Sequence, residues 1–102
     1  MRPTKSLVAL ATLLLLYTSV HAAEATSVKV GFLSTLSGPG AGLGIDIRDG
    51  FNLAVKQLNG KLGGLPAEVI VVDDQQKPEV AQQIAEKFLK KDKVDFMTGI
   101  VF

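Results

Sequence analysis

The sequence predicts an open α/β sheet of parallel strands in the order β-α-β-α-β. Three observations carry that expectation. An alternating apolar strand at 28–34 runs through a glycine-rich turn into an amphipathic helix, a β-branched run occupies 67–72, and a second amphipathic stretch leads into an apolar strand at 94–99. Short strands alternating with helices of this length imply right-handed parallel crossovers, the connection of a doubly wound sheet. Three strands and two helices are about half of such a sheet, so the expected product is the N-terminal part of a longer protein, with cover for both sheet faces supplied from outside these residues.

The first strand is Val28-Lys29-Val30-Gly31-Phe32-Leu33-Ser34, with Val28, Val30 and Phe32 on one face. The turn Leu36-Ser37-Gly38-Pro39-Gly40-Ala41-Gly42-Leu43-Gly44 follows, with a glycine at every second position from Gly38 to Gly44. After it, Ile47, Phe51, Ala54, Val55 and Leu58 fall on one helical face, and Arg48, Asp49, Asn52, Lys56 and Gln57 on the other. Asn59-Gly60 and Gly63-Gly64-Leu65-Pro66 stop that helix. Ala67 to Val72 is near-continuously apolar, the pattern of a strand covered on both faces, and Asp73 and Asp74 end it. Pro78 and Glu79 suit the first turn of a second helix, whose expected buried face is Val80, Ala81, Ile84, Ala85, Phe88 and Leu89. Glu86 and Lys90 are ordered for an i,i+4 pair, and Lys90, Lys91 and Lys93 read as a solvated face at the negative helix end.

The first 23 residues read as a secretory signal peptide rather than as fold material. Arg2 and Lys5 form a basic start, Leu7 to Tyr17 is an apolar run too short for a spanning helix, and Val20-His21-Ala22 or Ala23-Glu24-Ala25 offers small residues for cleavage. Cleavage after Ala23 leaves residues 24–102 as the folded part, with nine basic against ten acidic residues, and turns a formal charge of +1 into −1. No basic surface remains to argue for nucleic acid. His21 and Tyr17, each the only one of its kind, leave with the leader, and the chain has no cysteine. Histidine triads, thiolate nucleophiles and His/Cys metal sites are therefore absent from the expected product, as is a lipid anchor on cysteine. No cofactor is expected, and the expected location is the periplasm.

The glycine-rich turn is the expected ligand-contacting surface. Its glycines let backbone approach a ligand, and the N–H groups at the helix start favour an anion such as a small carboxylate. A flexible strand-to-helix connector is the plainer alternative. Asp73 and Asp74 could do acid/base work, but at a strand end they read as turn residues and local hydrogen-bond acceptors.

Val30 to Pro39, Gly44, Gly50-Phe51, Ala54, Asn59-Gly60, Gly63-Gly64, Asp73-Asp74, Pro78 and Val94 to Gly99 occur in an order and spacing that resembles the start of a leucine/isoleucine/valine-type periplasmic solute-binding protein. The resemblance implies a periplasmic-binding-protein type I fold of two lobes, with this chain as the first β-α-β-α-β part of lobe one. It implies a small ligand enclosed between lobes, delivery to the membrane permease of an ABC importer, a monomer, and no catalysis. It places ligand contacts at Ser37, Gly38, Leu43 and Gly44 in the first loop, and at Ile100 and Phe102 where the third loop begins. Two departures bear on specificity. Leu43 stands where members often have an aromatic residue, and Gln76 and Phe102 stand where some members have a disulfide. The family also binds amides, urea and aromatic carboxylates, so branched-chain amino acid, amide and aromatic acid all stay open.

Two rivals belong to other classes. An extracytoplasmic sensing module would share the fold and signal through a partner. A nucleotide-dependent α/β enzyme would use the same turn for a pyrophosphate. G-x-G-x-x-G, however, requires glycine at Leu43 or Ile45, and no Gly-Lys-Ser/Thr follows the turn.

Overall fold

The computed structural model describes residues 23–102, so all of the expected leader except Ala23 lies outside the described residues. Strand β1, Val28–Ser34, occupies the predicted span and is the centre of the sheet. It pairs in parallel with β3, Leu65–Asp73, from Val28 opposite Ala67 to Ser34 opposite Asp73. On its other side it pairs in parallel with β4, Phe96–Thr98, from Val30 opposite Phe96 to Phe32 opposite Thr98. The chain thus steps one way from β1 to β3 and the opposite way from β3 to β4. Right-handed crossovers then place the two helices on opposite faces.

Side-chain alternation along β1 shows both faces. Phe32 meets helix α1, Ala41–Gln57, with the Phe51 ring 5.3 Å away between centroids. Gly31 and Leu33 meet helix α2, Pro78–Lys87, and the widened π turn Phe88–Asp92 that continues it. Leu33, Ile84 and Phe88 form the buried cluster there, flanked by Ile70, Val72, Val80, Ala81 and Val94. The Phe88 ring fills the place of a side chain at Gly31, where an added Cβ would lie 2.5 to 2.9 Å from three ring carbons. The Glu86 to Lys90 pair forms at 3.3 Å, and Lys87 reaches Asp92 at 2.6 Å.

The fold departs from the predicted elements in several places. Helix α1 begins at Ala41, so Leu43 and Gly44 belong to its first turn rather than to the loop. Its contact face is also rotated: Gly44 is buried and Phe51 and Val55 are half-buried, whereas Ile47, Ala54 and Leu58 are exposed. The cause is Gly44, whose missing side chain lets the helix sit on the Thr35 carbonyl, which turns the positions seven and eleven residues on toward the sheet. Leu89 is 58% exposed, because the contact runs along Val80, Ala81, Ile84 and Phe88 and leaves Leu89 to one side. Val71 is 40% exposed, because α1 rests on Phe32 of β1 and reaches β3 incompletely.

An added two-residue strand β2, Lys61–Leu62, pairs antiparallel with the start of β3. Gly63 and Gly64, at φ of 57° and 81°, form the tight turn between them.

Candidate functional site

Ligand crevices of open α/β sheets lie beyond the carboxyl ends of the strands, at the point where the strand order reverses. In this sheet that point is between β1 and β4. The loop after β1 and the segment after β4 meet there. An added Cβ at Gly99 would lie 3.0 Å from the Leu33 carbonyl, and one at Gly40 would lie 2.6 Å from the Phe102 ring.

The first loop is held by the residues that end β3. The buried Thr35 hydroxyl donates to Asp74 Oδ1 at 2.7 Å, and Asp74 is itself buried. The same oxygen accepts from the Gln76 N–H at 2.8 Å. Asp73 Oδ1 accepts from the N–H groups of Leu36 and Gln75, each at 2.8 Å, and Oδ2 accepts from the Ser37 hydroxyl at 2.5 Å. Gln76 Oε1 takes the Gly40 N–H at 3.0 Å, and the Ala41 N–H is taken by the Gly38 carbonyl at 3.1 Å. Gly42 and Leu43 contribute N–H groups of the kind that find no acceptor within a helix start. No side chain caps α1 and no acidic residue stands in its first turn, so its positive end is left for an anion.

The predicted contacts divide accordingly. Ser37 and Gly38 are exposed on the loop, and Leu43 is exposed on the first turn of α1. Gly44 is not on the crevice surface; it is buried against Thr35 and serves packing. Ile100 is exposed and, with Leu33, Ala85, Met97, Thr98 and Gly99, lines a groove of about 410 Å³. Phe102 lies over Gly40 and shares a cavity of about 40 Å³ with Gln76 and Pro78. The two positions matched to a disulfide elsewhere therefore do lie beside one cavity.

Asp73 and Asp74 are hydrogen-bond acceptors, as read from the sequence. Their partners lie in the first loop, because the two acids end a strand parallel to one that ends in Ser-Thr, with Ser34 opposite Asp73. Among the described residues, no group of three or more His, Cys, Asp or Glu side chains is placed to hold a metal ion. None of the described helices is long and apolar enough to cross a membrane.

The Ser37 hydroxyl, and then the backbone N–H groups, hold the Asp73 carboxyl below its usual value of 3.8. A depressed folded value means that the unfolded chain binds the proton more readily. The stability contributed by Asp73 is thus complete above its unfolded pKa and lost as pH falls through the lower folded value. The gap in urea midpoint between the native chain and Asp73→Asn is expected to be constant from about pH 5 upward and to shrink below about pH 4. A gap independent of pH over that range would contradict the assignment.

A model of the periplasmic binding protein family matches residues 27–102. No curated protein matches. Among solved structures, an ABC transporter solute-binding protein from R. palustris in complex with benzoate is 37% identical, with TM-score 0.69, over 74% of this chain and 21% of that one. A second, from Rhodopseudomonas palustris in complex with 3,4-dihydroxybenzoic acid, is 27% identical, with TM-score 0.67, over 72% and 20%. The branched-chain amino acid transporter substrate-binding protein of Streptococcus pneumoniae, in complex with isoleucine, is 27% identical, with TM-score 0.65, over 70% and 21%. The chain spans about a fifth of the length of these relatives. With the β1-α1-β3-α2-β4 order and the matched residues in agreement, the chain belongs to the periplasmic binding protein family.

Proposed function

We propose that this chain forms the first part of lobe one of the substrate-binding component of an ABC importer, and that its β1/β4 rim holds a small carboxylate-bearing solute. The observation that carries the proposal is the meeting of the first loop with the segment after β4, at Gly40 and Phe102 and at Leu33 and Gly99. The uncapped start of α1 supplies N–H groups for an anion beside that meeting point. The ligands of the three relatives, benzoate, dihydroxybenzoic acid and isoleucine, all carry a carboxylate. Ser37, Gly38 and Leu43 contact the ligand from the first loop and α1, and Ile100 and Phe102 from the third.

Binding breaks no bond: closure excludes water, and hydrogen bonds to the carboxylate strengthen in the drier site. The protein is exported by a cleaved leader, acts in the periplasm as a monomer, binds no nucleic acid, and passes its ligand to a membrane permease. Calorimetric titration of the protein with branched-chain amino acids and aromatic acids should give saturable binding at one site, with the ligand recovered unchanged. Chemical conversion of any ligand, or no binding across both classes, would overturn the reading.

A further inference from the structure

We infer that Gln76, in the turn after β3, is a positioning residue for the rim: without touching the ligand, its side chain pins the start of α1 against the Phe102 ring and joins the segments that follow β1, β3 and β4 before a ligand arrives. The inference rests on the proposed binding role of the β1/β4 rim and adds to it a residue from a third connection.

The turn from Asp74 to Lys77 closes with the Lys77 N–H on the Asp74 carbonyl at 3.0 Å. Its central residues, Gln75 and Gln76, stand at φ of 57° and 58°, a left-handed pair that glycine or asparagine fills at little cost and glutamine does not. Both are exposed, so burial does not account for glutamine at either position. The Gln75 side chain accepts from the Lys77 amine at 3.5 Å, within the turn. Gln76 instead carries its Oε1 across to the Gly40 N–H at 3.0 Å, a reach that the shorter asparagine lacks. The strained backbone at 76 is thus kept together with a side chain that leaves its own turn.

Gly40 is the matching half. Its φ of −87° and ψ of 2° are those of the third residue of a type I turn, which most side chains accept, so conformation does not require glycine here. Space does: an added Cβ would lie 2.9 Å from Gln76 Oε1 and 2.6 Å from the Phe102 ring. Gln76 and Phe102 are the two positions matched to a disulfide elsewhere, and in this chain a hydrogen bond and a ring contact join them through a third residue. A rim ordered in this way has less freedom to lose on binding.

The test is the full chain titrated with benzoate and with isoleucine, alongside urea unfolding, so that affinity and stability are read separately. Gln75→Gly is expected to raise the urea midpoint, since it relieves the left-handed backbone, and to leave both Kd values unchanged. Gln76→Gly should hold the midpoint at or above the native value and yet raise Kd about tenfold. Gln76→Met, which keeps the length and loses the acceptor, should raise Kd by the same factor and speed hydrogen exchange at the Gly40 amide. Gly40→Ala should match that loss, and combining it with Gln76→Met should add nothing further. Native Kd values in both Gln76 variants, or a Kd that rises only as the midpoint falls, would overturn the inference and leave the binding role of the rim intact. An additive loss in the double variant would overturn it likewise. No binding of either probe by the native chain would overturn the binding role, and the inference with it.

Discussion

Gly44→Ala is expected to unseat α1 and to destabilise the chain by about 3 kcal/mol, the upper end of the usual cost of forcing a carbon into a packed site. The added methyl would lie 2.7 Å from the Thr35 carbonyl carbon and 2.9 Å from Ser34 Oγ. The main obstacle is backbone and cannot swing aside. The helix must lift from β1, which parts Phe51 from Phe32 and moves the first loop. Gly42, two residues earlier, has nothing within 4 Å of such a carbon. Gly42→Ala should raise stability by about 0.5 to 1 kcal/mol, because it removes backbone freedom from the unfolded chain without a clash. Urea unfolding followed by circular dichroism measures both, and similar shifts for the two variants would contradict this seating of α1.

Asp74→Ala is expected to cost about 3 kcal/mol, because it leaves the Thr35 hydroxyl and the Gln76 N–H without their acceptor. Thr35 is fully buried, and water does not reach it to compensate. Both bonds end on the same carboxyl oxygen, so Asp74→Asn retains an acceptor for each and should cost less than half as much. Equal midpoints for the two variants in urea would show that the charged carboxylate, rather than an acceptor of the same shape, is what the site requires. The comparison also separates the two neighbouring acids. Asp74 is an acceptor within the core, and Asp73 is an ion at the rim.

Strand β1 was legible in full because alternation of Val28, Val30 and Phe32 and the polar Ser34-Thr35 end are local signals. The rotation of α1 was not legible. Ile47, Ala54 and Leu58 share a helical face with Phe51 and Val55, and periodicity ranks all five alike. Only the contact between Gly44 and Thr35 chooses among them. Leu43 and Gly44 read as loop for the related reason that a glycine-rich helix start has the composition of a turn. The hairpin at Gly63-Gly64 carried a readable signal, two glycines between residues able to pair, but its strand of two residues is too short to show a period. At the site, the sequence identified the loop and the two acids separately. Their hydrogen bonds join residues 36 or more apart, which no local pattern reports.

The fit of the Phe88 ring into the space above Gly31 makes these two positions a single inherited unit. A chain that acquires a methyl at 31 can keep its sheet only by giving up aromatic bulk at 88, and one that shrinks 88 first opens a void that a larger residue at 31 can refill. Descendants of this sequence should therefore exchange the two together, along a path on which neither intermediate is comfortable.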